Sequence, residues 1–152
     1  MSLCPCGSNH NYQDCCQPLH LKQRVAETAE KLMRSRYCAF VKAEYQYLID
    51  THASEFASGL TKEQLSENPA NWVGLQVESA IERADTAKVT FKAWYQIDCG
   101  FDAIYECSDF IKRDGIWLYT RGEQFEAKLP KRNDMCICNS GKKFKKCCAL
   151  TL

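Results

Sequence analysis

No stretch of this chain approaches the ~20 consecutive apolar residues that a membrane-spanning helix needs. The first residues lack a basic region followed by an apolar segment, so no secretory leader is legible. Both absences lead us to expect a cytoplasmic protein. There is no low-complexity tract, no glycine-rich loop to cradle a phosphate, and no strand–nucleophile–helix elbow of a hydrolase. Strong net charge is missing too. The formal net charge is +1 over 152 residues, so the chain as a whole does not advertise a nucleic-acid partner. At 45% hydrophobic and 26% charged residues, it has an ordinary globular balance and enough length to bury a core.

The charge is unevenly placed. Between 131 and 148 stand Lys131, Arg132, Lys142, Lys143, Lys145 and Lys146, against Asp134 alone. That segment carries +5, which leaves −4 for the rest. A basic patch sits on a mildly acidic body.

Cysteine is abundant, at 11 residues. An odd number strains a purely disulfide reading. Eight of the cysteines fall in two copies of one pattern, C-x-C-x8-C-C, at 4–16 and 136–148. Cys4, Cys6, Cys15 and Cys16 match Cys136, Cys138, Cys147 and Cys148 without a gap. Ser8 matches Ser140, and Tyr12 matches Phe144. Gly7 matches Asn139, and Asn9 matches Gly141. Both of these positions therefore hold residues that tolerate left-handed backbone, which predicts a shared tight turn. Adjacent or nearly adjacent cysteines make poor disulfide partners, and in a reducing compartment they read as metal ligands. Two close pairs of thiolates suit a tetrahedral Zn²⁺, with the second pair expected about two helical turns after the first. Four protein ligands close such a site, so two structural zinc ions per chain are expected, supplying most of the folding energy of their short segments. His10 and His20 lie nearby but are expected to stay outside the ligand sets.

The region between the clusters changes character once. Residues 26–42 read as an amphipathic helix, with Ala29, Leu32, Met33, Arg36, Tyr37 and Phe40 on one face. Shorter helices are expected at 44–51 and 61–67, the latter started by a Thr61/Gln64 capping box and ended by Pro69. The period then becomes two. Val73, Leu75, Val77, Ser79 and Ile81 mark one strand, and Val89, Phe91, Ala93, Tyr95 and Ile97 a second. A third covers 102–113, and a turn at Asp114-Gly115 leads to a fourth, "IWLYT". Helices followed by a strand meander predict an α+β domain with helices packed on one face of an antiparallel sheet.

"CICNSGKKFKKCC" resembles the SEC-C zinc motif, named for the C-terminal tail of the SecA translocation ATPase. Ile137 departs from the usual proline, and the N-terminal copy lacks the lysines. "EKLMRSRYCAF", "WVGL" at 72–75, and the spaced set Glu106, Ser108, Phe110, Gly115, Trp117, Tyr119 and Gly122 are similar to the YchJ-like bacterial family. "DTHAS" at 50–54 departs from that family's usual Trp-His-Pro. The resemblance spans nearly the whole chain. It implies a nuclear transport factor 2-like middle domain: a bent sheet wrapped around helices to form a cone, as in cystatin-like folds. The expected divisions are an N-terminal knuckle at 1–17, the middle domain at 18–130, and a C-terminal knuckle at 131–152.

Cones of this type can house a catalytic or binding pocket. Here Tyr37, Glu106, Ser108 and Trp117 are the candidate lining. Glu106 on an apolar wall suggests acid–base chemistry, or else a buried ion pair with Arg34 or Arg36. Asp50 and His52 do not share a helix face and form no dyad. Cys38, Cys99 and Cys107 read as buried apolar thiols. No catalytic constellation is legible. The sequence therefore points to a zinc-binding interaction protein whose basic knuckle, through Lys142, Lys143, Lys145 and Lys146, docks an acidic protein or RNA. The SecA likeness implies the SecB chaperone or ribosomal RNA as examples. The alternative is an enzyme or small-ligand binder using the cone.

Overall fold

Thr28 sets the start of the longest helix. Its side chain accepts a hydrogen bond from the backbone N–H of Lys31 at 3.0 Å, satisfying one of the open donors of the first turn. In the computed structural model, which describes residues 2–152, this helix, α2, spans Ala29–Lys42 and ends on Ala43 at φ 59°. It starts later than the period-3.6 pattern suggested, because the Thr28 cap and not the pattern decides the first turn. A short α1 (Gln17–His20) precedes it, and α3 (Tyr45–Asp50) and α4 (Lys62–Ser66) follow. The expected capping box of α4 is present, with Thr61 and Gln64 exchanging bonds of 2.9 and 3.2 Å.

Four strands, β1 (Asn71–Glu82), β2 (Thr86–Ile97), β3 (Gly100–Arg113) and β4 (Ile116–Phe125), form an antiparallel meander in the order β1-β2-β3-β4. Asp114 and Gly115 both adopt positive φ, 53° and 78°, as a two-residue hairpin turn requires. β1 does not alternate evenly. Bulges lie between Trp72 and Gly74 and between Val77 and Ser79. Each extra residue bends the strand and shifts its facing. Hence Leu75 is buried while Ile81, expected on the same face, is 58% exposed. Ile97, at the far end of β2, is exposed as well.

The sheet is covered on one face by α2 and on the other, toward the β2–β3 hairpin, by the C-terminal segment. On one side Leu32, Met33 and Tyr37 of α2 pack against Leu75, Val89, Ala93 and Phe110. On the other, Trp94 and Phe101 pack against Cys136, Ile137 and Phe144 from the C-terminal segment. Ile137, the departure from the SEC-C pattern, is 0% exposed. Its burial contributes about 1.5–3 kcal/mol to holding that segment on the sheet. The approach is so close that a Cβ on Gly74 would collide with the Ile137 backbone. Gly74 sits at the first bulge of β1, where the absence of a side chain lets the two backbones meet.

Candidate metal centres

The two cysteine segments fold alike, bond for bond. The N–H of Cys4 donates to the His10 carbonyl at 2.7 Å, and that of Cys136 to Lys142 at 2.8 Å. Gly7 and Asn139 donate back to Cys4 and Cys136 at 3.3 and 3.4 Å. Cys15 and Cys147 each donate to the aromatic residue three places earlier at 3.1 Å. The matched Gly/Asn positions carry the expected left-handed backbone: φ is 82° at Gly7 and 62° at Asn139, then 66° at Asn9 and 83° at Gly141. One correction concerns the link between the cysteine pairs. It is a single 3₁₀ turn, Tyr12–Asp14 or Phe144–Lys146, where about two helical turns were expected. The loop's two left-handed residues reverse the chain by themselves, so a longer helix is not needed.

In each segment four sulfurs lie within 4.8 Å of one another. Cys6 and Cys15 stand 3.6 Å apart and Cys15 and Cys16 4.0 Å. Cys138 is 3.6 Å from Cys136 and 3.5 Å from Cys147. These separations exclude disulfides, and all eleven cysteines are free. A tetrahedral site with metal–sulfur bonds of about 2.3 Å has edges of about 3.8 Å, which these separations match. Four thiols so placed cannot all ionise alone. Hydrogen bonding from Cys16 pulls Cys4 down, while Cys38 and Cys4 push Cys16 up. A divalent cation removes that conflict. Both clusters thus have the donor set and spacing to hold a metal ion.

Their surroundings differ. The N-terminal cluster leans on α2. Lys31 Nζ donates to Cys15 Sγ at 2.8 Å and lies 3.9 Å from Cys16 Sγ. Burial opposes the Lys31 charge, but its bond to Cys15 and the nearby thiolates more than offset this, and its pKa lies above the usual lysine value. Cys38, fully buried, places Sγ 3.7 Å from Cys4. Arg34 donates to the Cys6 carbonyl at 2.6 Å. In the sequence Arg34 and Cys38 have other roles, a partner for Glu106 and a plain buried thiol, and Lys31 is not marked at all. The available signal was their spacing of i, i+3 and i+7, which forms a stripe beside the apolar face. Around the C-terminal cluster, the Cys148 N–H donates to Cys136 Sγ at 3.4 Å, and Ser140 Oγ lies 3.3 Å from Cys147 Sγ. Among the described residues, no lysine bonds to these sulfurs. Lys142, Lys143 and Lys146 are exposed and Lys145 half-buried. The two segments also touch at equivalent positions: a methyl on Gly7 would stand 3.1 Å from Asn139 Nδ2.

His20 is not in either cluster. Its Nε2–H donates to the Ser35 carbonyl at 2.9 Å, so Nδ1 accepts from the Tyr12 hydroxyl at 2.7 Å. Burial lowers its pKa and keeps it neutral. It ties the N-terminal segment to α2. His10 is exposed on the loop.

The cone does contain a cavity, of about 170 Å³, and Tyr37, Glu106 and Ser108 line it. Trp117 does not. It packs in the closed part of the core at 2% exposure, with Lys112 over its ring at 5.6 Å. The expected ion pair of Glu106 with Arg34 or Arg36 is also absent among the described residues. Arg34 pairs with Glu30 at 3.0 Å. Arg36 donates to the Leu48 carbonyl and Thr51 Oγ1 at 2.8 and 2.7 Å, where it serves the open carbonyls at the end of α3. Glu106 instead accepts from Ser108, from Tyr119 at 3.1 Å and from Gln124 at 3.3 Å. Its side chain lies over Gly122, where a Cβ would clash with it. Asp50 bonds Lys22 at 2.6 Å and His52 bonds the Thr120 carbonyl at 3.0 Å, so no dyad forms. Cys99 is exposed and Cys107 half-buried, so only Cys38 of the three is a buried thiol.

Comparison with known proteins agrees with this layout. The family model for the NTF2-like middle domain of YchJ matches residues 28–122, and that for the SEC-C motif matches 2–18 and 132–150. The chain is 54% identical to a UPF0225 protein of Shewanella sp. (strain MR-4) over 95% of its length and 94% of that protein. It is 38% identical to a UPF0225 protein of Geobacter sulfurreducens, covering 97% and 98%. Among solved structures, a SEC-C motif containing protein from Rhodopseudomonas palustris superposes with a TM-score of 0.75 at 29% identity, over 82% of this chain and 100% of that one. One from Psychrobacter arcticus gives 0.71 at 30% identity, over 100% and 98%. Fold and clusters thus define a small α+β protein with an NTF2-like middle domain between two SEC-C cysteine clusters. The chain belongs to the YchJ (UPF0225) family of bacterial proteins.

Proposed function

We propose that this is a cytoplasmic zinc-binding interaction protein. Each Cys4 cluster holds one structural Zn²⁺, and the basic C-terminal knuckle docks an acidic protein or RNA. The knuckles, 1–17 and 131–152, flank a middle domain of 18–130 that carries them. The observation that bears most weight is the pair of four-sulfur clusters, each with edges of a tetrahedral thiolate site. Zn²⁺ suits four thiolates at this spacing, and a filled Cys4 sphere leaves no place for substrate or water. The role is then structural, with no Lewis-acid step.

The docking reading rests on how the lysines are used. A four-thiolate Zn²⁺ site carries about −2 net charge, so charge compensation is the plain role for nearby lysines. The N-terminal cluster obtains its compensation from Lys31, on a helix outside the motif. The C-terminal cluster has lysines inside the motif and yet none of them bonds to its sulfurs. Lys142, Lys143 and Lys146 point to solvent instead. None of the four is in a salt bridge among the described residues. Replacing Lys142, Lys143, Lys145 and Lys146 by Gln is expected to weaken binding to purified ribosomal RNA or to the acidic SecB chaperone by about tenfold or more near 0.1 M salt. Metal content should not change. Equal binding by the Gln variant, or loss of its metal, would return these lysines to charge compensation.

A further inference from the structure

The cone cavity is built for more than packing. Most of its wall is apolar and aromatic, with Tyr37 and Phe40 from α2, Trp72 from β1 and Phe91 from β2. At about 170 Å³ it is close to the roughly 150 Å³ of an apolar cavity that takes benzene. Its polar end is Glu106, which is 7% exposed. The bonds from Ser108 and Tyr119 both end on Oε2. Oε1 has only the long contact from Gln124, at 3.3 Å. A carboxyl oxygen has two lone-pair sites, so Oε1 retains a free acceptor site on a residue that lines a largely apolar space.

The guanidinium and carboxyl groups that line the cavity are already hydrogen-bonded. Arg36 lines the same cavity, with its guanidinium carbon 4.8 Å from the Tyr119 ring centroid. Burial lowers its pKa only to about 10, so it stays cationic at neutral pH. Burial holds the Tyr119 hydroxyl protonated, above the usual tyrosine range. The Arg36 guanidinium is held by the Leu48 carbonyl and Thr51 Oγ1, so a charged ligand would bear the full cost of desolvation against a mostly apolar wall with no free counter-charge. A neutral ligand would not.

We propose that the cone binds a neutral, single-ring small molecule bearing one hydroxyl, with the ring against the aromatic wall and the O–H donating to Glu106 Oε1. The ring gains from apolar burial. The hydroxyl supplies the donor that Oε1 lacks. This site is separate from the cysteine clusters and needs no metal.

The test uses the full-length, metal-loaded protein and three probes: p-cresol, toluene and benzylamine. Binding is followed by the shifts of the three tryptophan indole N–H signals as each probe is raised to about 10 mM, a range suited to ligands this small. The Trp72 signal should move, while those of Trp94 and Trp117 stay still. p-Cresol should bind about tenfold more tightly than toluene, the share expected of one buried hydrogen bond. Glu106→Leu should abolish that preference. Should Glu106→Leu fail to fold, Ile104→Phe, which narrows the cavity from β3, should weaken p-cresol and toluene alike. No movement of the Trp72 signal with any probe overturns the proposal, as does equal binding of p-cresol and toluene by the wild type. Tighter binding of benzylamine than of p-cresol overturns the assignment to a neutral ligand.

Discussion

Stripping metal from the reduced protein is expected to expose Trp94 while the four-stranded sheet stays folded. Trp94 is 2% exposed, and on its side of the sheet it is covered by Ile137 and Phe144. Both belong to a segment whose only regular structure is a pair of 3₁₀ turns. Such a segment cannot hold its shape by packing alone. A structural Zn²⁺ supplies about 10–16 kcal/mol to folding at a site of this kind. Docking of Ile137 adds only about 1.5–3 kcal/mol. Losing the metal therefore undoes the knuckle and lifts the cover from Trp94. The opposite face has its own core, in which Leu32, Met33, Leu75, Val89 and Phe110 join α2 to the sheet without any cysteine ligand. That core should persist. Tryptophan emission should shift to the red on chelation and return when Zn²⁺ is restored. A Trp94→Phe variant should lose most of that shift. Far-ultraviolet circular dichroism should keep most of its amplitude. A single cooperative loss of the whole signal would show that the middle domain and the knuckles are one folding unit.

Lys31→Met should separate the two clusters. The Lys31 ammonium bonds to Cys15 Sγ at 2.8 Å and is the cation nearest the N-terminal sulfurs. Removing a partner that bonds to a metal ligand typically costs about 10–100-fold in metal affinity. Methionine keeps much of the apolar stem, so the packing of α2 changes little. Titration against a competing chelator should therefore show the N-terminal site releasing metal about 10–100-fold more readily, with the C-terminal site unmoved. If both sites weakened together, Lys31 would act through the fold. If neither did, its bond to Cys15 would be incidental.

Much of this architecture could be read from the chain because the informative residues act locally. Gly7, Asn9, Asn139 and Gly141 announce left-handed turns wherever they fold. Thr61 and Gln64 cap a helix through neighbours three residues away. Two period-two runs and the turn at Asp114-Gly115 lead to four strands with no knowledge of their partners. Two misses were local, the late start of α2 at the Thr28 cap and the single 3₁₀ turn between the cysteine pairs; the others depend on distant partners. The bulges in β1 arise from pairing with β2, and they turned Ile81 outward. Arg36 was expected as a partner for Glu106, but the packing of α3 on α2 gives it the end of α3 instead. Trp117 lies on the same strand as the cavity-lining Tyr119, but nothing local shows where along the strand the cavity ends. Lys31 and Cys38 looked like ordinary helix positions until the N-terminal segment was laid across them.

The proposal that both clusters are structural zinc sites is tested most directly by counting the metal. The protein should be purified with its thiols kept reduced and analysed for elemental content per chain. Two zinc ions per chain are expected, falling to one when either Cys15 and Cys16 or Cys147 and Cys148 are replaced by serine. One zinc or none in the unmodified protein, or a different metal in both sites, would contradict it.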